Sequence, residues 1–161
     1  MEQKLMAAIL ISGFFISVAV AEPSGVGFGL IMGEPTGLSA KVWTSSHFAL
    51  DAGLGYSWWR NGQSLQVHGD MLWHSRSLIQ SEDGYLPLYI GVGARIKLAD
   101  ETHHYPDMRL GIRIPFGLEY IFTRVPVGLF LELVPIIDLS PENDWGGNSA
   151  IGFRYYFSSH N

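Results

Sequence analysis

Phe48-Ala49-Leu50-Asp51-Ala52-Gly53-Leu54-Gly55-Tyr56 decides how the rest of the chain is read. Phe48, Leu50, Leu54 and Tyr56 share one parity, while Asp51, Gly53 and Gly55 share the other. Successive side chains of an extended chain point to opposite faces. The stretch is therefore a strand with one apolar face and one face of small and charged residues, not a helix with apolar residues three and four apart.

Working outward, the same alternation recurs and is punctuated by turn-forming clusters: Glu34-Pro35-Thr36-Gly37, Ser45-Ser46-His47, Arg60-Asn61-Gly62, 75–84, 100–107, 123–126 and 140–147. Seven turns leave eight strands, predicted near 25–33, 37–44, 48–58, 64–74, 85–98, 108–122, 127–138 and 148–157. Several match the roughly 9 to 11 residues of a tilted strand that crosses a bilayer. No low-complexity tract or linker interrupts the series, so 22–161 reads as one domain.

Sorting every strand by parity separates two surfaces. One carries Val26, Phe28, Leu30, Leu38, Ala40, Val42, Val67, Met71, Trp73, Leu88, Ile90, Val92, Ile96, Leu110, Ile112, Ile114, Phe116, Leu118, Val127, Leu129, Leu131, Leu133, Ile151, Phe153, Tyr155 and Phe157 beside the residues of 48–56. The other carries Lys41, Asp51, His68, Asp70, Arg95, Lys97, Arg109, Arg113, Glu119, Glu132, Asp138 and Arg154, interleaved with glycines such as Gly27, Gly29, Gly91, Gly93, Gly117, Gly128 and Gly152. A soluble sandwich accounts for alternation alone. Glycine and nearly balanced charge on one face fit better with the packed interior of a narrow eight-stranded barrel, where glycine makes room for long side chains and charges away from water need partners. Lys41, Asp51, Asp70, Arg95, Arg109, Arg113, Glu119, Glu132 and Arg154 are the predicted lumenal charge network.

The start of the chain fits that reading. Lys4 ends a short polar start, residues 5–18 are almost wholly apolar, and Ala19-Val20-Ala21 has the form of a signal-peptidase site. Residues 1–21 are thus a predicted signal peptide. Beyond it the longest apolar stretch, 125–137, is split by Glu132 and holds Pro126 and Pro135, so no helix long enough to span is predicted. With 47% apolar and 16% charged residues the chain is not of disordered composition, and at net charge −5 without a basic run nucleic acid is not an expected partner. Cysteine is absent, so disulfides and thiolate metal sites are excluded.

Aromatic residues gather at strand ends, as interfacial girdles would require: Trp43, Phe48, Trp73, Tyr85, Tyr120, Phe122 and Phe157 toward one rim, and Trp58, Trp59, Tyr105 and Trp145 toward the other. At this point 25–157 resembles the small outer-membrane β-barrel families typified by OmpA and OmpX. More locally, Gly33-Glu34-Pro35-Thr36-Gly37-Leu38-Ser39-Ala40-Lys41, Leu86-Pro87-Leu88-Tyr89, Arg113-Ile114-Pro115-Phe116-Gly117-Leu118-Glu119-Tyr120 and Gly152-Phe153-Arg154-Tyr155-Tyr156-Phe157 look like a family of outer-membrane barrel proteins with no established activity. The resemblance implies an eight-stranded up-and-down transmembrane barrel, with Phe153, Tyr155 and Phe157 similar to the C-terminal signal read by the barrel-assembly machinery. Here Ser158-Ser159-His160-Asn161 follows the terminal aromatic, and Pro115 and Pro135 fall inside predicted strands, where a missing N–H breaks a ladder bond unless a bulge intervenes.

Chemistry has few candidates. His68, Asp70 and His74 alternate on one face and could set an imidazole against a carboxylate, but no nucleophile motif accompanies them, so a hydrogen-bonded lumen is the expectation. His103 and His104 beside Asp100, Glu101 and Asp107 are read as a solvated loop; no metal or other cofactor is expected. A lipid A deacylase or acyltransferase is the enzymatic alternative and a soluble periplasmic barrel around an apolar ligand the other. The expectation is a non-enzymatic outer-membrane barrel with lipid, lipopolysaccharide and the assembly machinery as partners. If both chain ends are periplasmic, the long 75–84 turn lies on the periplasmic side.

Overall fold

Alternation of the kind seen at 48–56 persists through every long strand, and in closed form it makes a barrel. The computed structural model describes residues 25–58, 63–75, 77–99 and 107–157. The strands are β1 (Val26–Gly33), β2 (Thr36–Trp43), β3 (Phe48–Ser57), β4 (Ser64–His74), β5 (Ile79–Gln80), β6 (Gly84–Leu86), β7 (Leu88–Ala99), β8 (Asp107–Arg113), β9 (Phe116–Phe122), β10 (Val127–Ser140) and β11 (Asp144–Phe157). β6 with β7, and β8 with β9, form single staves interrupted at Pro87 and at Ile114-Pro115. The result is a closed, antiparallel, eight-stranded barrel. Neighbours in sequence pair throughout, and β11 closes the wall on β1 from Val26↔Phe157 to Gly33↔Ala150.

Three boundaries differ from the sequence reading. The 75–84 turn folds into a hairpin, with Ile79↔Leu86 and Gln80↔Tyr85 paired, because Leu78 and Ile79 supply a short extended run before Asp83-Gly84. β10 and β11 run further than predicted and pair from Val127↔Tyr155 to Asp138↔Asp144, so the turn at 140–147 shrinks to a few residues. The prolines need no bulge. Leu88↔Leu118 and Gly93↔Arg113 lie on one unbroken register across Pro115, and Leu133↔Phe116 and Ile136↔Arg113 do so across Pro135. Each proline keeps its carbonyl in the ladder: Gly91 N–H donates to Pro115 O at 2.8 Å and Ile114 N–H to Pro135 O at 3.0 Å. The one shift in β10 lies later, between Asp138 and Ser140.

Because register is unbroken across both prolines, parity is too. None of the apolar set is buried: Phe28, Leu54, Met71 and Leu133 are 56%, 44%, 61% and 59% exposed. Lys41, Asp51, Asp70, Arg95, Arg113, Glu119, Glu132, Asp138 and Arg154 are all buried inside the wall. Apolar side chains also fill the lumen, among them Ile31, Leu72, Phe130 and Ile136. At the β1–β2 turn Gly33 has φ +132°, a conformation that only glycine adopts without strain, and a Cβ there would run into the β11 backbone at Ser149.

The predicted signal peptide at 1–21, the aromatics Trp59 and Tyr105, the loop residues Asp100, Glu101, His103 and His104, and the tail at 158–161 lie outside the described residues.

Candidate functional site

Strand parity aims the long charged side chains inward, and what they find there is set by the opposite wall. Near one end, Lys41 on β2 donates to Glu119 on β9, which also accepts from the Tyr156 hydroxyl on β11. Arg154 on β11 donates to Asp51 on β3 at 2.6 Å and to Ser39 Oγ at 2.7 Å, lies 3.7 Å from Glu119, and covers the Phe130 ring at 3.9 Å. In mid-barrel Arg113 on β8 places its Nε against both oxygens of Asp70 on β4, at 3.0 and 3.1 Å, and reaches Glu132 on β10 at 3.2 Å. Tyr89 completes that cluster by donating to Glu132 at 2.9 Å. Further along, Arg95 on β7 forks onto Asp138 on β10 at 2.7 and 2.9 Å. Gln66 Oε1 accepts there from both Arg95 and Asn148 at 3.3 Å.

These pairs cross the lumen instead of following the sheet register. Lys41 stands directly opposite Asp51 on the neighbouring strand, yet each turns to a partner elsewhere. Asp51 and Asp70 face each other across β3–β4, a like-charge placement that costs stability unless each is claimed by its own cation. Arg154 and Arg113 do so. Hydrogen bonds between a guanidinium and a carboxylate are the stronger, charge-assisted class, and the two-nitrogen fork of Arg95 Nε and Nη2 on Asp138 is bidentate as well. Breaking such a buried pair is expensive because it strands a charge away from water.

Glycine makes the space. A Cβ on Gly53 would strike the His68 ring, on Gly117 the Tyr89 ring, on Gly152 the Phe130 ring and on Gly128 the Glu119 carboxylate. Charge and glycine share a face because each long side chain lies flat across a residue without one.

The three residues considered for general base work do not join. Asp70 is taken by Arg113, His74 by Lys41 at 2.8 Å, and His68 Nδ1 has no hydrogen-bond partner. Among the described residues no group of three or more His, Asp or Glu is placed to hold a metal. Arg109 sits opposite Lys97 toward a rim, and both are only half-buried. Phe153 and Phe157 are exposed on the outer face of β11 with Tyr155 half-exposed, paired along β1.

With this geometry the chain can be set beside a solved protein. The N-terminal β-barrel domain of Pseudomonas aeruginosa OprF superposes with a TM-score of 0.61 at 15% identity, over 81% of this chain and 96% of that one. The two share a fold. Neither a family model nor a curated protein matches the chain by sequence, so the local resemblance read from the four motifs gains no support.

Two aromatics assigned to a girdle turn out otherwise. Trp43 shares parity with Lys41 and is tucked in, its ring 4.3 Å from His74 and 4.5 Å from Lys41 Nζ. Tyr85 is half-buried in the hairpin stem and lines a cavity with Trp43. The signal was present in the parity of 41 and 43. Phe48, Trp73 and Phe157 do face outward, as do Trp58 and Trp145 at the other rim.

Proposed function

We propose that the chain is an integral outer-membrane barrel protein, delivered by a signal peptide at 1–21, whose lumen is closed by its own side chains and whose role is structural or interactive. The observation that carries this is the inversion of the two faces. A soluble protein buries its apolar residues and rarely leaves a large apolar patch in water. Here, among the described residues, the apolar set encircles the wall while nine charged side chains are buried within it, Lys41, Asp51, Asp70, Arg95, Arg113, Glu119, Glu132, Asp138 and Arg154, with Lys97 and Arg109 half-buried on the same face. Lipid tolerates such a surface, and closure of β11 on β1 leaves the described barrel wall without an open edge in a medium that offers no hydrogen bonds.

The proposed partners are outer-membrane lipid and lipopolysaccharide around the wall and, during insertion, the assembly machinery acting on the last strand with its Phe153, Tyr155 and Phe157. A non-enzymatic role is favoured because Arg113 takes Asp70 and Lys41 takes His74, so neither His68 nor His74 is paired with the Asp70 carboxylate. The test is to fractionate cells expressing the full precursor and run the outer-membrane fraction on SDS gels with and without boiling. A band that migrates faster only when unboiled is expected, since a closed hydrogen-bonded barrel resists the detergent. Recovery in the soluble periplasm, with no such shift, would sink the proposal.

A further inference from the structure

Asp144-Trp145-Gly146-Gly147-Asn148-Ser149 opens β11 at the rim away from the described chain ends. On one side this stretch pairs with β10, from Asp138↔Asp144 to Leu133↔Ser149. On the other side β1 has already stopped: the last β1–β11 pair is Gly33↔Ala150, after which the chain turns through Glu34-Pro35 into β2. The final backbone bond across that seam runs from Glu34 N–H to Ser149 O at 2.9 Å.

The backbone groups of successive strand residues point to opposite sides of the strand. Tyr156 N–H donates to Pro126 O beside β10, and Ser149 O accepts on the β1 side. The β10–β11 register is unbroken, so even-numbered residues of β11 serve β10 and odd-numbered ones face β1. Trp145 and Gly147 therefore direct their N–H and C=O to the side where β1 has ended. Trp145 N–H is taken by the Asp144 carboxylate at 2.8 Å. Gly147 N–H, Gly147 O and Trp145 O have no backbone partner among the described residues.

An open strand edge is a template for pairing, and proteins guard such edges with lysine, proline or a bulge. This one carries none of the three. Its two glycines bare the backbone instead, and packing does not require them. A Cβ on Gly146 would meet nothing nearer than Arg95 Nη2 at 3.8 Å, and one on Gly147 nothing nearer than Val134 O at 3.6 Å. Neither glycine has a positive φ. Glycine in a strand without those reasons marks a place where another backbone comes close. Trp145, 74% exposed on the outer face, stands beside the gap that Gly147 leaves.

We propose that the 145–149 edge of β11 is a docking site for an extended segment of another polypeptide, added antiparallel to β11 in line with β1. Two N–H groups of the segment donate to Gly147 O and Trp145 O, one carbonyl accepts from Gly147 N–H, and the side chain opposite Gly147 lies against the Trp145 ring. Glu142 and Asp144 are exposed at the tip and favour a basic residue at that end of the segment. So short an edge does not by itself bury the ~1,200 Å² of a stable dimer interface, which argues against a second copy as the occupant. The inference rests on the barrel fold and not on its membrane location.

The test is a titration of the chain from residue 22 onward, folded in detergent, with the peptide acetyl-Thr-Ser-Val-Thr-Thr-Lys-amide, followed by backbone amide NMR. Saturable shifts centred on 144–149 are expected, with Gly147 N–H gaining protection from hydrogen exchange. Methylating the valine nitrogen removes the N–H aimed at Gly147 O and should weaken binding roughly three- to tenfold. Methylating the nitrogen of the following threonine, which points away from β11, should change it little. Gly147→Pro removes an N–H that serves no described neighbour, is tolerated at an edge, and should weaken binding by a similar factor; if that variant does not fold, the two methylated peptides decide. Absence of saturable shifts, shifts centred elsewhere, equal losses from the two methylations, or self-association of the chain that Gly147→Pro abolishes would overturn the proposal.

Discussion

Replacing Glu119 with Gln should be among the most damaging isosteric changes in the barrel. The carboxylate is fully buried, accepts from Lys41 and Tyr156, and lies 3.7 Å from Arg154. Lys41 and Arg154 balance Asp51 and Glu119 in this cluster, so an amide leaves it with one uncompensated positive charge and Lys41, 0% exposed, with neutral neighbours such as the new amide, the His74 imidazole and the Trp43 ring. Breaking a buried pair from one side costs about 3–5 kcal/mol. With a urea m-value of about 2 kcal/mol/M, the unfolding midpoint should fall by roughly 1.5–2.5 M. The assay is urea unfolding of the protein folded in detergent or vesicles, read by tryptophan fluorescence and by heat-modifiable migration. The double variant Lys41→Met with Glu119→Gln removes both charges and should recover most of the loss, because an apolar replacement of a buried pair is often neutral or better. A midpoint that stays put in Glu119→Gln, or a double variant no more stable than that single one, would refute the reasoning: the first by showing the pair contributes nothing, the second by showing the damage is not a stranded charge.

Two further outcomes follow from the faces of the wall. Gly117→Ala forces the Tyr89 ring off its hydrogen bond to Glu132 and should destabilise by about 1–3 kcal/mol, whereas Gly69→Ala, on the outer face with its nearest atom 3.9 Å away, should change little; the same urea titration compares them, and equal effects would contradict the packed lumen. Leu131 is paired with Ile151, midway along β11 between Trp145 and Phe157, so Leu131→Arg should cost roughly 2–4 kcal/mol in vesicles if this face meets the bilayer core, and no loss of folding efficiency there would place that face elsewhere.

The faces were legible from sequence because the side-chain period of a strand is two and because most strands keep that period from end to end. Lys41, Asp51, Asp70, Arg95, Arg113, Glu119, Glu132 and Arg154 were assigned inward by parity alone and are buried, while Arg109, assigned with them, is only half-buried. The prolines invited an error. Pro115 and Pro135 each remove a donor, but register depends on the many remaining pairs, and the loss of one bond, worth about 1 kcal/mol, does not outweigh them. The 75–84 hairpin was missed because its strands are two and three residues long, too short to show a period. Trp43 was read as a girdle residue from its place at a strand end, although its parity already set it with Lys41.

Alternation, glycine and turn chemistry by themselves determined an eight-stranded wall with charge on one face and apolar residues on the other, since those properties are local and repeat along the chain. Which cation meets which carboxylate was decided only by the closed barrel. Lys41 passes over its register neighbour Asp51 for Glu119, and Arg154 reaches Asp51 from β11. Pairing across a lumen depends on curvature, on the stagger of opposite strands and on the space that glycines such as Gly117 and Gly128 leave open, and none of these is a property of any one strand.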